Sequence, residues 1–83
     1  MTTVIHDGYG SAEGAFSITP SDSTDFTHAT RAIRANAAGV VACIFVGSTT
    51  AVNLNFAAGE TRYLRLKRVN STNTTATGLE GLY

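Results

Sequence analysis

Apolar and polar residues alternate in short runs along most of this chain, and nowhere does the three-to-four spacing of an amphipathic helix persist. Residues 15–19 read as a short strand with Phe16 and Ile18 on one face and Ser17 on the other, ended by Pro20. Ser21, Asp22, Ser23, Thr24 and Asp25 carry side chains that bond nearby backbone amides, which makes the next stretch a turn. Residues 26–38 lack the spaced large apolar side chains that a docked helix needs, so at most a short helical turn fits there. Residues 29–36 read instead as a strand with Ala29, Arg31, Ile33 and Ala35 on one face, followed by a turn in which Gly39 supplies the positive φ of a tight hairpin.

The strongest strand is residues 40–46, continuously apolar and rich in β-branched side chains, which places it in the core. Residues 51–56 alternate, with Val52, Leu54 and Phe56 inward and Asn53 and Asn55 outward. Residues 60–69 read as one long strand, Leu64 and Leu66 on one face and Tyr63, Arg65, Lys67 and Val69 on the other. A polar, exposed loop at 70–75 leads to a last strand within 77–83 that contains Leu79 and Leu82. About six short strands joined by polar turns predict an all-β fold, a small antiparallel β-sandwich or jelly-roll-like barrel over residues 15–83. Residues 1–14, with Gly8, Gly10 and Gly14 and no sustained period, read as an extended N-terminal arm whose Val4, Ile5 and Tyr9 dock on a neighbour.

Length and composition then limit how such a domain stays folded. A chain of 83 residues is a single domain that hides only about 60% of its unfolded surface. One cysteine, Cys43, excludes an internal disulfide, and two histidines, His6 and His28, without further Cys exclude a closed zinc site. Several strands are apolar or long-chained on both faces, which leaves greasy surface on an isolated copy. Self-association is the remaining source of stability, so a homo-oligomer is expected. Six basic residues balance six acidic ones, so no long-range field draws in nucleic acid or an anionic membrane. The first ten residues lack the pattern of a secretory signal, and the apolar run 40–46 is too short for a bilayer, which takes about 20 helical residues.

Candidate chemistry is sparse. Gly8-Tyr9-Gly10-Ser11 has no following Gly-Lys-Ser/Thr, so it is no phosphate loop. His28 beside Ser21, Asp22, Ser23 and Asp25 reads as a solvated turn histidine rather than a triad member, and Cys43 in the apolar strand as an inert small hydrophobe. The carboxylates are scattered, no catalytic residue is assigned, and no cofactor or metal is expected. Four of the six bases, Arg62, Arg65, Lys67 and Arg68, fall within seven residues and surround Tyr63, Leu64 and Leu66. Strand alternation puts Arg65 and Lys67 with Tyr63 on one face and Arg62 and Arg68 on the opposite one, which suits a subunit seam better than a single-strand nucleic-acid groove. A carbohydrate-binding or receptor-binding module, with Tyr63, Tyr83 and Asn53 as its site, is a further alternative, and a small regulatory or adaptor domain is another.

Residues 16–26 (Phe-Ser-Ile-Thr-Pro-Ser-Asp-Ser-Thr-Asp-Phe), residues 29–33 (Ala-Thr-Arg-Ala-Ile), the basic strand ending Leu66-Lys67-Arg68-Val69 and the tail 74–83 (Thr-Thr-Ala-Thr-Gly-Leu-Glu-Gly-Leu-Tyr) together resemble the spike-base proteins of gene transfer agents and related tailed phages. The resemblance covers residues 15–83. The family tends to have a proline near the start of the basic strand, where residues 57–63 have none, and an apolar residue near Glu80. What the resemblance implies is a non-enzymatic virion protein on the outer surface of a phage particle. It would form a symmetric ring, bind the capsid or another virion protein, and hold a spike or fibre. The arm would reach the capsid or a neighbouring copy. Arg62, Tyr63, Arg65, Lys67, Asp22, Asp25, Leu82 and Tyr83 are the candidate interface, in which bases after residue 61 meet acids before residue 26 of the next copy.

Overall fold

Seven strands and no helix make up residues 11–83, which are the residues that this computed structural model describes. They are β1 (Ala15–Ser17), β2 (Ala32–Ala35), β3 (Gly39–Phe45), β4 (Val52–Phe56), β5 (Thr61–Arg62), β6 (Leu66–Asn70) and β7 (Leu79–Leu82). Two antiparallel sheets result, one in the order β1-β7-β2-β5 and the other in the order β4-β3-β6. The expected small β-sandwich is what forms. Its core joins Ile33, Ala35 and Leu79 of the first sheet to Val41, Cys43, Phe56, Leu66 and Val69 of the second, with Ile18 and Ala76 from the flanking segments. Val4, Ile5 and Tyr9 lie outside the described residues.

The long strand expected over residues 60–69 is two strands in different sheets, since β5 pairs with β2 and β6 with β3. Residues 63–65 cross between the layers, and Thr30 holds the crossing. Its fully buried hydroxyl donates to the Leu64 carbonyl at 2.7 Å and accepts from the Leu66 amide at 3.0 Å, while its own amide bonds the Leu66 carbonyl at 3.1 Å. A bulge then resets the period of β6: Phe45 faces Leu66 and Ile44 faces Arg68, leaving Lys67 as the extra residue. Leu66 and Val69, three apart and expected on opposite faces, are therefore both in the core.

Other expectations also shift for identifiable reasons. Residues 36–38 pass from one sheet to the other and form no hairpin, because β2 and β3 belong to different sheets. Gly39 matters there for space, since a Cβ would stand 2.6 Å from the Ala76 backbone nitrogen. Polar residues 70–75 are not a free loop. The Thr75 and Thr74 hydroxyls accept the Val40 and Ala42 amides at 2.8 and 3.0 Å, extending the ladder of β3 where β6 has ended. Val52, expected inward, is 45% exposed at the start of edge strand β4.

The apolar surface expected on both sheet faces is smaller than the sequence implies. Val41 and Cys43 face the core, so Ala42 and Ile44 lie on the outer face of β3, yet both are buried. Ala42 stands in register between Asn53 and Asn70, and Ile44 beside Arg68, so longer neighbours flank both. The large apolar side chains that do stay exposed are Val46, Val52 and Tyr63, all at strand ends or in connections.

Candidate functional site

The four clustered bases are placed by two different kinds of backbone, and this sorts them. Arg62 on β5 belongs to the first sheet and reaches the second. Its Nε meets a Glu60 carboxylate oxygen at 2.9 Å, its guanidinium lies 4.5 Å from the Phe56 ring centre, and it donates to the Asn55 carbonyl. Arg68 on β6 donates through Nε to the Asp25 carboxylate at 2.7 Å and through Nη1 to the Asp22 carbonyl at 3.0 Å. That anchors residues 21–30 along the outer edge of β6, where the Ser21, Phe26 and Thr30 amides bond the Val69, Lys67 and Leu66 carbonyls. Both arginines are thus used within the chain.

Arg65 and Lys67 differ. Neither forms an ion pair with an acid among the described residues, whereas Arg31, Arg34, Arg62 and Arg68 each do, with Glu13, Glu80, Glu60 and Asp25. The Val46 amide donates to the Arg65 carbonyl at 3.1 Å, bringing exposed Val46 beside exposed Arg65. Lys67 lines an open depression of about 470 Å³ with Val46, Gly47, Ser48 and Thr49. Tyr63, 86% exposed, projects from the same crossing segment. Val46 therefore stands beside two cations that no described acid pairs, with exposed Tyr63 two residues before Arg65 in the chain.

Asp22 is held differently from the other acids. Its two carboxylate oxygens accept from the Thr72 amide at 2.9 Å and the Thr72 hydroxyl at 2.6 Å, and these hydrogen bonds, the hydroxyl's foremost, hold its pKa below the ordinary carboxylate value. No cation pairs with it among the described residues. Glu60 is likewise lowered, first by the Ala57 amide and then by Arg62. Asp25, expected to face another copy, meets Arg68 of its own chain.

The remaining candidates separate from this surface. Leu82 is half-buried on β7. The Tyr83 ring stacks on exposed His28 with centres 4.2 Å apart and planes 10° apart, and both rings line a pocket of about 160 Å³ with Phe16 and Thr27. The Tyr83 amide bonds the Gly14 carbonyl at 2.9 Å, and its carbonyl accepts the Glu13 and Gly14 amides, so residues 13–14 pair with the end of the chain. Tyr63, Tyr83 and Asn53 sit on a crossing segment, at the end of β7 and on β4. Among the described residues no three His, Cys, Asp or Glu side chains gather as metal ligands. Burial pushes the Cys43 thiol up to about 11, against a smaller opposing effect of the Arg62 charge.

Sequence reasoning missed Thr30 and Thr72, the two hydroxyls that position Arg65 and Asp22. Isolated threonines in a threonine-rich chain carry no spacing signal that marks them. Val46 was legible only as the end of an apolar run.

No protein-family model and no curated protein matches the chain. Among solved structures it is similar to a chain of one described as the capsid of a native GTA particle computed with C5 symmetry. The TM-score is 0.84 at 32% identity, over 95% of this chain and 92% of that one.

Proposed function

We propose a structural role in a particle, starting from the fact that this chain belongs to the family of that component of a GTA capsid. In this reading it is a non-enzymatic protein of a phage or gene-transfer particle that forms a symmetric oligomeric base on the outside of the head and holds a spike or fibre. The match along nearly the whole of both chains carries the reading, because the likeness extends through both sheets of the domain and is not confined to a local motif. The related capsid was computed with C5 symmetry, an arrangement into which a cyclic ring of copies fits. Multivalency is the mechanism: once one subunit sits on the capsid, its neighbours engage at high effective concentration, so individually weak contacts hold. Val4, Ile5 and Tyr9 of the N-terminal arm are the side chains assigned to the capsid or a neighbouring copy.

Mass spectrometry of purified particles, with affinity labelling of intact ones, tests this reading. The expected result is a constant copy number per particle and a label accessible from outside. A chain absent from washed particles overturns it.

A further inference from the structure

The two ends of β6 carry charges of opposite sign that form no ion pair among the described residues. Arg65 immediately precedes the strand and Lys67 sits in its bulge, next to Val46, and exposed Tyr63 lies two residues before Arg65 in the chain. Asp22 is fastened to Thr72, two residues beyond the strand's other end. Four ion pairs consume the other described bases and four acids, while the chain as a whole is neutral. Charges at opposite ends of one rigid strand do not turn back on each other, but they meet when copies are arranged head to tail.

We propose that the Val46–Tyr63–Arg65–Lys67 surface is a docking site for a second copy of this chain, which presents its Asp22 turn to Arg65 and Lys67. The inference rests on the structural reading above and specifies its contact between subunits. Each carboxylate oxygen of Asp22 accepts one bond from Thr72, with Ser71 contributing more weakly, and the carboxylate stays exposed to an incoming guanidinium or ammonium. The Thr72 bonds fix the carboxylate before contact, so little side-chain freedom is lost on docking. Val46 and Tyr63 supply the apolar area that a purely ionic contact lacks, since exposed ion pairs alone contribute little. A heterologous contact of this kind either closes into a ring or propagates into a filament, and a base with cyclic symmetry requires closure.

The test is a charge exchange read by light scattering and native mass spectrometry on the full chain. The double variant Arg65→Glu, Lys67→Glu is expected to weaken self-association about 10- to 100-fold. Adding Asp22→Lys in the same chain restores attraction with reversed sign and is expected to recover the oligomer. Asp22→Asn, which keeps an oxygen for Thr72, should weaken assembly less than the double variant, and each protein's folding is checked by circular dichroism. A double variant that assembles like the parent, a folded triple variant that stays dissociated, or a parent chain that is monomeric at high concentration and binds only an acidic segment of another virion protein overturns the proposal. Particle incorporation is scored separately. A chain present in particles whose self-association ignores these charges defeats this contact alone, whereas absence from particles defeats the structural reading beneath it.

Discussion

Arg62 and Arg68 flank Arg65 and Lys67 in a single seven-residue stretch, yet the two pairs do opposite things. The outer pair holds the molecule together: Arg62 spans the sheets onto Phe56 and Asn55, and Arg68 ties residues 22 and 25 to the edge of β6. The inner pair has no acid to meet among the described residues and stands beside exposed Val46. Charge density along a sequence therefore says little about interaction. What separates the pairs is whether a carboxylate or carbonyl lies within reach after folding, and that depends on where the chain crosses between sheets.

Breaking the crossing itself should have the largest effect. Thr30→Val keeps the shape but removes the hydroxyl that serves both the Leu64 carbonyl and the Leu66 amide, leaving buried backbone groups unsatisfied. A loss of about 2–3 kcal/mol is expected in urea unfolding, together with weakened self-association because the same bonds position Arg65. A variant as stable as the parent would show that the crossing does not depend on this pin.

Arg62→Ala should cost about 1–2 kcal/mol, from a cation–π contact, a half-exposed ion pair and a bond to a carbonyl. Arg62→Lys should recover only part, since an ammonium does not reproduce the guanidinium fork. Equal stability of the alanine variant and the parent in thermal melts would place Arg62 with the inner pair. At the small end, Arg65→Gln with Lys67→Gln should change monomer stability by less than about 0.5 kcal/mol. A drop in melting temperature at concentrations too low for assembly would mean that these bases also serve the fold.

The strands themselves were legible in the chain. The apolar run 40–46, which forms β3 as far as Phe45, the alternation of Leu54 and Phe56 with Asn53 and Asn55, and the Ser21 turn, whose hydroxyl accepts the Ser23 and Thr24 amides, are all local patterns and appear as such. The break between β5 and β6 was not legible, because residues 60–69 alternate well enough to continue as one strand and the pin that interrupts them lies at position 30. The surface at Arg65 and Lys67 was legible as residues. Its isolation from Arg62 and Arg68 was seen for the right pair, although the alternation behind it stops at the crossing and slips at the bulge.

By itself the sequence determined an all-β domain with one apolar central strand, no disulfide and balanced charge, since these depend on residue type and short-range period alone. Only tertiary structure decided which cations were neutralised, which apolar faces were covered, and which strand ends met. Those outcomes turn on pairs far apart in the chain, such as Thr30 with Leu66 or Asp22 with Thr72, whose hydrogen bonds exist only once both layers are stacked.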